Sequence, residues 1–279
     1  MSNAILLGAN QVINATASNE VGGDYVAANL YNVQPSETWR GSTADATFTG
    51  SFSEMKIISG FALGNFNLSG ETVRLELALD SGYSNIVYDN SWPARNSTYG
   101  WGQGTWGNLF STWGGYGLTT SALSVAQLIV AFTGVGATHW RVTVSDMTVS
   151  VPEIGTLFLG TAFQPAKNIS RSPLLAEVDP SEVIMTRGQS MRSIVRRSYR
   201  EMAIDWPALT ADEAMTLRRI FRETGLNGLV VFDMLPDESS TEADESRMLA
   251  RMVSWDGPTR RGDTVETRYS ASVTLREAL

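Results

Sequence analysis

A mainly β protein is what these 279 residues predict: an antiparallel β-sandwich first, then a β-rich unit carrying one α-helix. Three observations carry that expectation. Apolar side chains recur in period two through the first half, turn residues punctuate them, and one capped amphipathic pattern occurs near residue 210. The composition agrees. Charged residues make up 18% of the chain, against roughly 25% in ordinary soluble domains. Ser, Thr, Asn and Gly must therefore cover much of the surface, as in extracellular or virion-type β proteins, and a disordered, highly charged chain is excluded.

The strands declare themselves by alternation. From Thr72 to Leu79, Val73, Leu75, Leu77 and Leu79 share one face, with Thr72, Arg74 and Glu76 opposite. Met55, Ile57, Phe61 and Leu63 make a similar face, and Trp140, Val142 and Val144 alternate with Arg141, Thr143 and Ser145. Such strands are dry on one side and wet on the other, the pattern of antiparallel sandwiches. Leu123 to Phe132 is apolar on both faces, which suits a central strand or a short buried helix. Turns are expected at 67–70, 80–82 and 134–136.

Residues 91–118 read as a long loop between two of these strands. It holds Trp92, Trp101, Trp106 and Trp113 with Tyr99, Tyr116 and Phe110, interleaved with seven glycines and almost no charge. Flat indoles stack on pyranose faces while glycines let the backbone turn sharply, so the six Trp and Tyr side chains are candidate partner or glycan contacts. The alternative is a loop that buries its own tryptophans against the sandwich or a neighbouring subunit.

Pro152, Pro165 and Pro173 mark a change of character, and a domain boundary is expected near 170, giving units 1–170 and 171–279. In the second, Met202, Ile204 and Trp206 face one way on a strand ended by Pro207. Thr210 and Glu213 form a capping box for a helix over 211–224, with Ala214, Leu217, Ile220 and Phe221 apolar, Arg218, Arg219 and Arg222 wet, and Gly225 as the stop. Val230 and Phe232 restart a strand. Met248 to Trp255 and Thr264 to Leu275 predict a hairpin turning at Asp256-Gly257-Pro258.

The chemistry is mostly exclusion. There is no cysteine and one histidine, His139, so thiolate nucleophiles, Cys-ligated metals, most zinc sites and two-histidine mechanisms are ruled out. His139 reads as a loop residue at a strand start. No Walker loop, dinucleotide fingerprint or nucleophile elbow is present. The acidic run 237–245 lacks EF-hand spacing and reads as a solvated loop. No catalytic residue, cofactor or metal site is assigned, and the chain is not expected to be an enzyme. A net charge of −8 argues against nucleic-acid binding. No window approaches the roughly 18 apolar residues of a membrane span, and Ile5-Leu6-Leu7 is too short for a secretory core, so cytoplasmic synthesis is expected. Nineteen of the 21 basic residues are arginine. Arg192, Arg196 and Arg200 are expected on one strand face as a subunit interface, meeting carboxylates such as Glu238, Glu242, Asp244 and Glu245 of a neighbour.

Certain strings are familiar. Asn29-Leu30-Tyr31, Thr38-Trp39-Arg40, Gly60-Phe61-Ala62-Leu63, residues 72–77, His139 to Val144 and Ile154 to Gly160 resemble the discoidin, or galactose-binding-like, jelly-roll domain of bacteriophage tail proteins. Trp206 to Thr210, the capped helix and Arg268-Tyr269-Ser270 resemble minor or distal tail proteins of long-tailed phages. The Trp/Gly insert departs from the discoidin pattern. The resemblance implies a structural component of the tail tip, a homo-oligomeric ring joining the tail tube to the hub or baseplate. Its partners would be copies of itself, tube, tape-measure and hub proteins, and its location the virion after synthesis in the host cytoplasm. The alternative is a glycan- or receptor-binding module of a virion or cell-surface protein.

Overall fold

The computed structural model describes residues 3–278 except 33, 35, 42–44, 69, 95–126, 148, 150, 171–173, 186–190, 197, 227, 237–245 and 262–267. Among these residues the strands are β1 (Ile5–Gly8), β2 (Thr16–Ala17), β3 (Trp39–Arg40), β4 (Ala46–Phe66), β5 (Thr72–Ala78), β6 (Ile86–Pro93), β7 (Gln127–Ser145), β8 (Glu153–Phe163), β9 (Leu174–Val178), β10 (Glu182–Met185), β11 (Met191–Ile194), β12 (Tyr199–Leu209), β13 (Leu229–Asp233), β14 (Met248–Arg261) and β15 (Arg268–Glu277). One α-helix, α1 (Ala211–Thr224), and a short 3-10 helix, Ala27–Tyr31, are set among them. The fold is thus mostly antiparallel β with a single α-helix, as the alternation predicts.

The first half is a sandwich made by two strands long enough to serve both of its sheets. β4 and β7 pair from Ala46↔Val144 to Gly64↔Gln127, and the register slips between Ser51 and Lys56 and again between Ile58 and Gly60. Such bulges bend a ribbon and increase its twist. Before the bend, β7 pairs with β5, and β5 with β6. Beyond it, β4 pairs with β8. The enclosed core joins Val73, Leu75, Leu77, Trp140, Val142 and Val144 on one side to Phe61, Leu63, Ile154, Leu157 and Leu159 on the other. The bend also explains two exceptions to the predicted faces: Met55 and Ile57 sit on the bulged stretch and are exposed. Leu79 falls past the end of β5, where its N–H donates to the Asn85 carbonyl and the chain turns. Residues 127–132 are strand, which settles the strand-or-helix ambiguity for that part of Leu123 to Phe132.

The second half packs α1 against a sheet in the order β13-β14-β15-β12-β9. The capping box is present: the Glu213 N–H donates to Thr210 Oγ1 at 3.3 Å, and the Thr210 N–H donates to Glu213 Oε2 at 2.7 Å. Leu217 and Ile220 enter the core with Met202, Ile204 and Trp206, and the Phe221 ring stacks on Trp255 at 4.9 Å. Two expectations are corrected. β12 runs through Pro207 to Leu209, because β9 pairs only as far as Ala203 and the register with β15 shifts after Trp206, so no ladder bond needs the missing N–H. Asp256-Gly257-Pro258 is a bulge inside β14 rather than the hairpin turn; pairing resumes at Thr259↔Ser270 and continues to Arg261↔Arg268.

β1 joins the halves. Leu6 to Gly8 pair with Phe163 to Thr161 of β8, while Ile5 to Leu7 pair with Asp233 to Val231 of β13. Both faces are buried. Leu6 lies in the helix-side core, and Ile5 and Leu7 pack with Ala62, Phe158, Val231 and Leu249 at the seam. Close approach is possible because Gly8 has no side chain: a Cβ there would lie 2.0 Å from Ile220 Cγ2.

Two outcomes follow. Thr210→Ala removes the hydroxyl that caps the first turn and lowers stability by about 1 kcal/mol, read as a fall in the chemical-denaturation midpoint. Proteolytic cleavage between residues 164 and 173 leaves fragments that co-elute in native gel filtration, because β1 is hydrogen-bonded into both; fragments that separate without denaturant would show that β1 does not hold the halves together.

Candidate functional site

The inward face of β6 is built from residues in period two. Tyr88, Asn90 and Trp92 oppose Leu77, Leu75 and Val73 of β5, all three fully buried, so they point toward the sandwich interior. β6 is the last strand on its side of the sheet, and beyond the bend β7 from Gln127 to Ala137 pairs with β4 alone. Among the described residues no further strand pairs with either, so two edges flank the interior here. Four rings step out of it: buried Phe61 stacks on Trp92 with centroids 5.7 Å apart, Trp92 lies 6.5 Å from Tyr88, and Tyr88 stacks on Phe132 at 4.1 Å. Tyr88, Trp92 and Phe132 are half-buried, while Asn90 between them is exposed. Burial pushes the Tyr88 hydroxyl above its ordinary range, and a hydrogen bond with the Asn90 side chain opposes this. Half-buried rings on rigid strands beside an amide present both a stacking surface and hydrogen-bonding groups.

Of the six aromatic candidates, Trp92 is described, and it belongs to β6 rather than to a loop. Tyr99, Trp101, Trp106, Trp113 and Tyr116 lie outside the described residues, in the connection running from β6 to β7. Tyr88, Asn90 and Phe132 were missed. The alternation Tyr88-Asn90-Trp92 was the available signal, obscured by Asp89 and Ser91 and by the tryptophan-glycine run just after it.

The outer face of the same sheet carries a ladder of charge. Arg74 donates through Nε and Nη2 to Asp89 at 2.7 and 2.6 Å, and Arg141 donates through Nη2 to Glu76 at 2.7 Å. Glu76 is only 2% exposed. The Arg141 guanidinium lies over the Tyr83 ring at 4.3 Å, and the Tyr83 hydroxyl donates to the Trp140 carbonyl. The hydrogen bond from Arg74 holds Asp89 below the usual carboxylate range. Asp80 is held low by N–H donors of Ser84 and Asn85, and its turn fixes Tyr83 at a φ of 54°. Every charge in this ladder is engaged with its neighbour, which suits a structural role. His139 lies within β7, opposite Ser51 and Ala78, with its Nδ1 3.0 Å from Thr138 Oγ1; it is not at a strand start.

The three arginines expected on one strand face are dispersed. Arg192 lies on β11 opposite Ile184, and Arg196 follows that strand, exposed, with Nη2 3.3 Å from Glu182. Arg200 is the second residue of β12 and is buried, its Nη2 donating to Glu277 Oε1 at 2.6 Å. The chain leaves β11 at Ile194 and enters β12 at Tyr199, so period two does not run through. Glu238, Glu242, Asp244 and Glu245 lie outside the described residues. Among the described residues no group of three or more His, Asp or Glu could hold a metal ion.

Replacing Arg141 with leucine leaves a buried carboxylate with only Arg74 at 3.3 Å. Because Arg141 is itself about a third exposed, the expected loss is about 2 kcal/mol, below that of a fully buried pair. Urea denaturation of Arg141→Leu measures it, and an unchanged midpoint would mean that Glu76 is adequately held without Arg141.

No family model matches the chain, and no curated protein does. Among solved structures it is similar to the CBM32 of AlyQ in complex with 4,5-unsaturated mannuronic acid, at 14% identity and a TM-score of 0.37, over 54% of this chain and 96% of that one. It is similar also to the family 32 CBM from C. perfringens NanJ in complex with galactose, at 13% identity and 0.37, over 55% and 98%. A third is a pectin binding carbohydrate binding module, at 16% and 0.35, over 55% and 92%.

Proposed function

We propose that this chain is a non-catalytic carbohydrate-binding component of a larger assembly, with the aromatic edge of the sandwich as its stacking surface. One observation carries the reading: Tyr88, Asn90 and Trp92 stand on one face of β6, the edge strand among the described residues, backed by Phe61 and Phe132. A pyranose offers an apolar C–H face and equatorial hydroxyls. A half-exposed indole accepts the first, and the Asn90 amide, with donor and acceptor together, suits the second.

A second reading, a ring component of a phage tail tip, is favoured by a different observation. The β10–β11 hairpin exposes Ile184, Met185, Met191 and Ile194, and Val195 follows it exposed, a surface suited to subunit contacts. Under this reading the protein works in the virion, touching tube, tape-measure and hub proteins after synthesis in the host cytoplasm, with no cofactor, nucleic-acid or membrane partner. Reconstruction of a virion containing the chain tests it: a ring with contacts through residues 171–279 supports it, and a lone peripheral spike overturns it.

A glycan array probed with the full chain tests the carbohydrate reading. Retention of at least one glycan class is expected. Trp92→Ala and Asn90→Ala should each weaken it about tenfold, the equivalent of one good stacking or hydrogen-bonding contact. Trp92→Ala also removes a ring packed on Phe61, so Asn90→Ala, at an exposed position, is the variant that separates binding from folding. An array with no retained glycan, or binding indifferent to both changes, overturns the proposal.

A further inference from the structure

We propose that the β10–β11 hairpin is an arm that packs on the Met55–Ile57 face of a second copy of this chain. The inference stands apart from the carbohydrate reading, since it uses neither β6 nor any sugar.

The hairpin is a separate two-stranded sheet, with register from Glu182↔Ile194 to Met185↔Met191. Opposed residues share a face, so Ile184 and Ile194 lie on one side, and Met185 and Met191 on the other. Both sides are exposed. Met185 is 65% and Met191 72% accessible, and Val195, just beyond, is 80%. None of these side chains joins the three hydrophobic cores. A two-stranded ribbon alone is marginal in water. Among the described residues both apolar faces of this ribbon stay exposed, which suits a covering surface supplied by another molecule.

Charge selects that molecule. Residues 182–197 hold four arginines and one glutamate, a net +3, in a chain of net −8, so the rest of each copy carries −11. A basic, apolar arm is attracted to the body of another copy, whereas two arms repel one another. This favours a head-to-tail contact over a two-fold pairing of hairpins.

The receiving face is the bulged stretch of β4. Met55 and Ile57 alternate onto one side and are 63% and 68% accessible, the two most exposed large apolar side chains among the described residues apart from the hairpin and Val195 beside it. Glu54 beside them is well exposed, its carboxylate paired only locally with Lys56 at 2.7 Å. Receiver and arm lie in different halves of the chain, so each copy has one of each to offer.

Sedimentation velocity on the full chain tests this. Wild type should assemble with increasing concentration, more weakly at high salt. Met191→Glu in the arm and Ile57→Glu in the receiver should each reduce assembly by about tenfold or more. Both positions are exposed, so thermal melts should stay close to wild type. The decisive sample is an equimolar mixture of the two variants. One intact arm and one intact receiver remain, so dimers form that grow no further. Four results overturn the proposal: a wild-type monomer up to the solubility limit, assembly indifferent to Met191→Glu, mixed variants that stay monomeric, or a hairpin-dependent association with phosphatidylserine vesicles in place of self-association.

Discussion

Everything else in this structure hangs on a four-residue strand. β1 is hydrogen-bonded on both edges, to β8 of the sandwich and β13 of the helix-bearing unit, and all four of its residues are buried. It makes one continuous sheet of two patterns that the sequence presents as separate. Helix α1 is tied to the same place: the Ala9 N–H donates to Thr224 Oγ1 at 3.0 Å, and the Ala166 N–H to Glu213 Oε1 at 2.6 Å. The capping glutamate therefore serves both the helix and the segment entering the second half. Gly160 answers Gly8 across the ladder, since a Cβ at Gly160 would lie 2.7 Å from the Gly8 carbonyl oxygen. An apolar strand in the middle of a sheet is stabilised by both cores and both ladders, which is why so short a segment suffices.

The bend in the β4–β7 ribbon decides which of the described strands lie at the edges of the sandwich. One long antiparallel pair contributes to both sheets, which closes one side without a separate strand and, among the described residues, leaves β6 and the far half of β7 as edges on the other. Free edges are usually blunted by charge, bulges or a cover. Here the outer face of β6 is charged, with Asp89 held by Arg74, while its inner face is aromatic. Side chains on an edge strand inherit the rigidity of the sheet, and the proposed stacking surface draws on that rigidity.

The arginine bias resolves into two uses. Some arginines neutralise carboxylates in the interior: Arg200 with Glu277, Arg247 with Asp233, and Arg141 with Glu76. A planar guanidinium can hold a carboxylate through two parallel bonds, as Arg141 holds Glu76, which a lysine cannot do. Others, Arg196 among them, stay at the surface with the exposed hairpin. The count alone suggested an interface; which arginines are free to serve one depended on burial.

The sequence by itself determined the local elements. Alternation marked Val73, Leu75 and Leu77, Trp140 to Val144, and Met202 to Trp206 as buried faces, and all are buried. The Thr210–Glu213 box set the start of α1 and Gly225 its end, because capping depends on residues three or four apart. Tertiary structure decided what local patterns leave degenerate. Ile5-Leu6-Leu7 is too short to identify itself, and its place between β8 and β13 depends on partners more than 150 residues away. The bulges that expose Met55 and Ile57 and absorb Asp256-Gly257-Pro258 arise from cross-strand register, which periodicity along one strand does not encode. The grouping of Tyr88, Asn90 and Trp92 with Phe61 and Phe132, and the dispersal of Arg192, Arg196 and Arg200, have the same cause: a site is assembled across strands, and only the folded chain brings the strands together.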